Sequence, residues 1–346
     1  MSATYVGLDV SLAATSVCVL DDRGAVLFEG KARSTPEAIA ALLAGRAPGA
    51  VRVGLETGPT SAWLWRGLVG LGVPTVCLEA RHARAALSAR THKTDRNDAR
   101  GLAELVRVGW YREARVRDAD AQVVRALLLA RRRLVDARRS VENQLRGIAK
   151  AFGLFADATT AGRGFLARMR RAADERPELA PVLRPLLAVH TAMAEQVGVL
   201  TGRVVAAARR DAAVRRMMTI PGVGALTAMA FRTAVGDPAR FGPSDQAGAF
   251  FGLAPRVHQS GEVDRTGRIT KTGDTMTRSY LFEAAGVLLK RVPRPSALKA
   301  WGTRLAERVG LKRAKVAVAR KLAVLLHALW KGGAEFDWAR QEARPA

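Results

Sequence analysis

The sequence predicts an α/β N-terminal domain, then a long helical segment and a mainly α-helical C-terminal region. Two observations carry this expectation. Over the first ~80 residues, short apolar runs bounded by turn residues alternate with a helical pattern, as in a layered sheet-and-helix domain. From Ala119 onward the apolar positions recur at helical spacing in stripes about thirty residues long.

The first run, Tyr5–Val10, is short and β-branched, and residues 16–20 and 25–29 flank the turn Asp21-Asp22-Arg23-Gly24, so a strand and a hairpin open the chain. Residues 51–55 and Thr75–Leu78 are two further buried-strand candidates. Between them Trp63, Leu64, Leu68 and Leu71 fit one helix face. In the long helix predicted over 119–152, Leu127, Leu134, Val141 and Ile148 recur every seventh residue, with Val124, Val135 and Leu145 widening the stripe. A second stripe runs through Val182, Leu186, Val189, Met193, Val197, Leu200 and Val204. The Gly- and Arg-rich stretch 162–171 breaks the period and is read as the loop that lets the two helices return antiparallel as a coiled-coil arm; an ordinary bundle core is the alternative. Beyond Ile220-Pro221-Gly222-Val223-Gly224 and Phe250-Phe251-Gly252, residues 257–271 read as a polar basic loop. Apolar faces then predict helices over 274–290, 296–309 and 312–331. The resulting division is 1–117, 118–211 and 212–335, with a tail at 336–346.

Composition narrows the function. The 346 residues include 56 Lys and Arg against 31 Asp and Glu, a formal net charge of +25, which favours a polyanionic partner, nucleic acid first among them. The excess is uneven: residues 1–110 hold 13 basic and 10 acidic side chains, and the remainder 43 and 21, so the remainder is expected to do most of the polyanion binding. No apolar run is long enough to span a bilayer and no signal peptide is recognisable, so a cytoplasmic, nucleoid-associated protein is expected. Cys18 and Cys77, each in an apolar run with no ligand spacing around it, read as reduced core residues.

Asp9 interrupts the apolar strand Val6-Gly7-Leu8-Asp9-Val10, where a carboxylate is costly unless paired or metal-bound. Glu56 ends the next apolar strand. If those strands are parallel neighbours, both carboxylates emerge at one edge of the sheet. Asp95 and Asp98 follow where Thr94 or Asp95 can cap a helix, and their spacing puts both on one helix face. Four such carboxylates suit Mg²⁺, or Mn²⁺, rather than zinc. Each has a plain alternative: Asp95 and Asp98 as acids favoured by the helix dipole, Glu56 as a surface residue at a strand end.

The order Gly7-Leu8-Asp9-Val10-Ser11, Glu56-Thr57-Gly58 and His92-Lys93-Thr94-Asp95-Arg96-Asn97-Asp98-Ala99 resembles the DEDD insertion-sequence transposases, insertion-sequence family one-hundred-and-ten. The likeness continues through Ile220-Pro221-Gly222-Val223-Gly224 and Gln259-Ser260-Gly261 and so covers nearly the whole chain. It implies an RNase H-like (RuvC-like) N-terminal domain with Asp9, Glu56, Asp95 and Asp98 as metal ligands, and a C-terminal domain with Ser260 as nucleophile. It also implies a non-coding bridge RNA that pairs with target and donor DNA.

From the residues alone, Ser260 is a turn residue in a polar segment, with no Ser-His-Asp order to activate it, and Arg265, Arg268 and Lys271 after it read as nucleic-acid phosphate contacts. The glycines Gly222 and Gly224 before a helix resemble a helix-hairpin-helix that lets backbone amides approach phosphate; a tight turn between packed helices is the alternative. Arg131, Arg132, Arg133, Arg138 and Arg139 on the first long helix, and Arg168, Arg170 and Arg171 beyond it, read as phosphate contacts or as a solvated face.

The favoured expectation is a DNA recombinase working through a serine–DNA bond as a homodimer or homotetramer. A metal-dependent hydrolytic junction resolvase and a non-catalytic nucleic-acid-binding protein remain alternatives.

Overall fold

A computed structural model describes residues 3–88, 94–154, 163–261 and 263–338. The chain forms two compact units, Met1–Arg117 and Asp118–Ala346.

The first unit runs β1 (Tyr5–Val10), β2 (Ala14–Leu20), β3 (Val26–Arg33), α1 (Pro36–Arg46), β4 (Arg52–Glu56), α2 (Ser61–Gly70), β5 (Thr75–Leu78), α3 (Ala80–Leu87) and α4 (Asp95–Val108). The five strands form one sheet in the order β3-β2-β1-β4-β5. β1, β2 and β3 pair antiparallel; β1 with β4 and β4 with β5 pair parallel. The expected hairpin and strands are therefore present, with Gly24 supplying the left-handed turn residue at φ +87°. Helix α1, where Thr35 caps and Pro36 occupies the first turn, is an element the apolar pattern did not reveal.

Alternation sorts each central strand between two faces. Val6, Leu8, Val53 and Leu55 pack with Ile39, Leu43, Leu64 and Leu68 of α1 and α2. The other residues of the same strands, Gly7 and Gly54, face α4, whose Ala99, Ala103 and Val106 they meet so closely that neither position has room for a Cβ. Cys18 and Cys77 are buried free thiols.

The second unit runs α5 (Ala119–Ala151), α6 (Arg163–Glu175), α7 (Ala180–Arg210), α8 (Ala212–Met217), α9 (Ala225–Val235), α10 (Gln246–Phe250), β6 (Pro255–Ser260), β7 (Val263–Ile269), α11 (Thr275–Lys290), α12 (Ala297–Val309) and α13 (Leu311–Gly332). α5 and α7 form an antiparallel pair: Arg131 reaches Thr201, and eleven residues on, Glu142 faces His190, eleven residues back. Leu128 of α5 and Val204 of α7 join Phe231, Phe251, Leu281 and Leu322 in one core.

Two expectations are corrected here. The stretch 162–171 is not a loop, because Arg163–Glu175 is helix α6; Phe165, Met169, Ala172 and Ala173 make a stripe that packs on Leu145 and Leu183 and outweighs the glycine signal. Gly162 itself lies outside the described residues. The polar segment 257–271 is not irregular either. It is the β6–β7 hairpin, held by its backbone ladder, and its exposed polar faces carry no hydrophobic period to read.

Candidate functional site

Asp9 and Glu56 end neighbouring parallel strands. The register pairs Gly7 with Gly54 and Leu8 with Leu55, so the next residues, both half-buried, stand side by side at the carboxyl edge. Two positions beyond Gly7 and Gly54, they belong to the face that α4 covers. The turn after Glu56 is fixed locally: Thr57 N–H donates to Leu78 O, Thr57 Oγ1 accepts from Ala80 N–H at the start of α3, and Ser61 Oγ binds both backbone groups of Gly58.

α4 brings the other pair. Thr94 caps it, its Oγ1 accepting from Asn97 N–H at 3.2 Å. At the far end Arg107 donates to Asp22 O in the β2–β3 turn, beside the residues where β1 begins. The first turn of α4 is therefore directed toward the edge where β1 and β4 end. Asp95 lies four residues before Ala99, and Asp98 four before Leu102, so the buried stripe of α4 runs on into both carboxylates. Arg96, between them, is tied by an ion pair to Glu29 on β3. His92 and Lys93 of the motif lie outside the described residues.

The four carboxylates are the donor type a hard divalent cation takes, Asp9 and Glu56 at the sheet edge and Asp95 and Asp98 in the first turn of α4. Among the described residues, no three His, Cys, Asp or Glu side chains converge closely enough to hold a metal ion. Nearby Cys77 is unsuited as a ligand at neutral pH, because burial pushes its thiol up to about 11.

In the second unit, Ser260 is the last residue of β6, exposed and paired with Val263 across the tip, where Gly261 has φ +56°. Arg265 stands opposite His258, and Arg268 is exposed further down β7. Gly222, at φ +85°, lies so close to Ala284 O and Leu288 N of α11 that packing alone accounts for a glycine; Gly224, at the start of α9, has open space instead. Arg131, Arg132 and Lys271, far apart in sequence, line one cavity. Arg138 is half-buried further along α5. Arg168, Arg170 and Arg171 lie on α6, whose core partner Leu145 is fourteen residues, or ~20 Å of helix, from Arg131.

Sequence reasoning missed one pair. His327 is fully buried; its Nε2–H donates to Pro238 O at 2.8 Å, leaving Nδ1 to accept from Ser244 Oγ at 2.9 Å. No sequence spacing links residues 83 positions apart.

Comparison with known proteins accounts for both units. A family model described as Transposase, of the DEDD type found in IS110 elements, matches residues 6–152, and one described as Transposase IS116/IS110/IS902 family matches residues 214–301. The chain is 32% identical to the transposase for insertion sequence element IS1111A of Coxiella burnetii, covering 93% of this chain and 88% of that protein. It is 32% identical to a probable family 20 transposase of Pseudomonas aeruginosa over 68% of this chain and 72% of the relative. A shorter match, 31% over 35% of this chain and 38% of the relative, is to the pilin gene-inverting protein of Moraxella bovis. The chain belongs to the IS110 family of DEDD insertion-sequence transposases, enzymes that bind, cleave and rejoin DNA. DEDD transposases usually use a divalent metal ion. No helix among the described residues is long and apolar enough to cross a membrane.

Proposed function

We propose that this transposase exchanges DNA strands through a covalent bond between Ser260 and DNA, with sequence choice delegated to a bridge RNA. The observation that carries the catalytic half is the alignment of Asp9 with Glu56 at one sheet edge, with the first turn of α4 presenting Asp95 and Asp98 toward it. These four carboxylates would hold Mg²⁺ or Mn²⁺, which when bound lowers the barrier to attack by stabilising charge on the phosphate and leaving oxygens.

The exposed Ser260 Oγ attacks phosphorus, losing its proton to solvent; the O–P bond forms as the P–O3′ bond breaks, and the freed 3′ oxygen takes up a proton. The phosphodiester energy is kept in the serine ester. A 3′-hydroxyl from the second duplex reverses the step and completes exchange. The hairpin position supports this role, since it holds the serine clear of the core on the same hairpin as the exposed Arg265 and Arg268, which suit the DNA backbone. The gene-inverting relative supports strand exchange over hydrolysis, because inversion rejoins what it cuts.

RNA guidance rests on the family resemblance and on the 43 basic against 21 acidic residues after residue 110. Exchange of two duplexes needs at least two active sites, so a dimer or tetramer is the working assembly, and the α5–α7 pair is read as its coiled-coil arm.

The test is a denaturing gel of labelled DNA. Wild-type protein is expected to carry label, Ser260→Ala to carry none while still binding DNA and RNA, and Asp9→Asn to lose recombination without loss of fold. Adduct persisting in Ser260→Ala moves the nucleophile elsewhere, with Ser244, Thr266 and Thr270 next. Metal-dependent nicking without any adduct replaces this reading with a hydrolase, and undiminished selectivity in RNA-free protein removes the guide.

A further inference from the structure

Within the second unit, α5, α11, α13 and the foot of the β6–β7 hairpin enclose a cavity of about 410 Å³, inside the roughly 300–1,000 Å³ range of small-ligand clefts. Its charged wall carries Arg131, Arg132, Arg139, Lys271 and Arg278, against Glu283 as the acidic lining residue. Arg132 and Arg139 share Asp136. Among the described residues, Arg131, Lys271 and Arg278 have no carboxylate within ion-pair distance. Arg131 donates to Thr201 Oγ1 and Tyr280 OH, and Arg278 to Phe251 O, Thr272 O and Thr275 Oγ1. Neutral oxygens thus orient both guanidiniums, with Asp274 acting on Arg278 only from beyond ion-pair distance. The rest of the lining is apolar and aromatic: Leu253, Ile269, Val316, Phe282 and Tyr280, whose hydroxyl meets Arg131. Lys315 Nζ lies 4.7 Å from the Phe282 ring centre and adds a further cation there.

A second observation points the same way. Lys271, at φ +55°, is the one non-glycine residue with a left-handed backbone among the described residues. Its segment is pinned by Gly252, which abuts the backbone of Lys271 and Thr272, and by Gly273, which abuts Phe250 O. A lysine held where glycine is favoured is strained, and strain of this kind concentrates at functional sites.

We propose that this cleft holds one unpaired nucleotide, its phosphate on Arg131, Lys271 and Arg278 and its base against Tyr280 and the apolar wall. Charge alone would draw any phosphate to the surface; cations without a direct carboxylate partner, placed in one concavity with aromatic side chains, select a nucleotide whose base has left its stack. Arg278 loses part of its hydration by burial, which lowers its pKa and marks a partly dry wall. Lys271 stands beyond the end of β7, whose seven residues span ~20 Å, so the cleft anchors a strand well away from Ser260 and does no chemistry itself. The proposal needs only that the transposase binds nucleic acid, not that Ser260 is the nucleophile.

The experiment uses the full chain without divalent cation, so that no strand is cut. Four probes of one sequence carry a single 5-iodouracil, paired or unpaired, in duplex DNA or in duplex RNA. Under ultraviolet light the unpaired base should crosslink to the α11 peptide containing Tyr280 and Phe282, the paired base several-fold less; whichever of DNA and RNA crosslinks more strongly is the source of the nucleotide. Lys271→Gly, which relieves the left-handed strain, should unfold at no lower a temperature than wild type yet bind the unpaired probe about tenfold more weakly. Crosslinks mapping to other peptides, equal yields from paired and unpaired probes, or unchanged affinity in Lys271→Gly would each overturn it.

Discussion

Gly7→Ala tests the frame of the acidic site. An added methyl would overlap Ala99 O and Ala103 N of α4, backbone atoms that no rotamer change can move, so the helix must withdraw by about 1 Å to restore ordinary contact. Overpacking of this kind costs about 1–3 kcal/mol, and the absence of a yielding side chain puts this case near the upper end. For a unit of this size, ~3 kcal/mol corresponds to a fall in Tm of roughly 10 °C. The withdrawal also carries Asp95 and Asp98 away from Asp9 and Glu56, and a 1 Å misplacement of reacting groups can cost about 10²-fold in rate. The assay is thermal unfolding by circular dichroism together with metal-dependent DNA cleavage, measured well below the variant's Tm. Gly45→Ala, in open space on α1, is the control and should keep both properties. Wild-type stability and activity in Gly7→Ala would refute the seating of α4 on β1. Lost stability with full activity would show that the close seat serves the fold alone.

Three further outcomes are expected. Arg125→Met should cost about 3 kcal/mol in denaturant unfolding, because it leaves Asp274, its largely buried partner and the cap of α11, without its ion-pair partner; Asp274→Asn in the same background should recover part of the loss. Thr94→Ala should cost about 1 kcal/mol and weaken cleavage by fraying the turn that carries Asp95 and Asp98, while Thr94→Ser, which keeps the hydroxyl, should do neither. His190 has its pKa lowered by burial first and then by Arg138, with Glu142 opposing. The unfolded chain therefore binds the extra proton more readily, so stability should fall as pH drops below about 6.5, and in His190→Gln a Tm-against-pH profile should be flatter there.

In the acidic motif only Asp9 broke a local rule, as a carboxylate in an apolar strand; Glu56 at a strand end and two carboxylates in the first turn of a helix that Thr94 caps are locally ordinary, and it was the order of the four that marked the motif. What sequence pattern could not supply was their mutual placement. The parallel pairing of β1 with β4 is a contact between residues 47 apart, and the seat of α4 depends on Gly7 and Gly54, which look permissive in sequence and prove to be sites of close approach. The candidate phosphate contacts divide similarly. Arg131 and Lys271 were each read as a phosphate contact, but their meeting in one cavity, and the left-handed backbone of Lys271, depend on packing among α5, α11 and the hairpin foot.

By itself, then, the sequence determined most of the apolar strands and helices and the sign of the charge, since these follow from side-chain chemistry within a few residues, and it marked four carboxylates and, through the family resemblance, one serine as candidates. Tertiary structure alone decided that 163–175 is helical, that 255–269 is a hairpin and that Asp9 and Glu56 stand at the same edge of the sheet. The physical reason is range: helix periodicity and capping act over one or two turns, whereas strand register and helix seating come from burial shared between segments tens of residues apart.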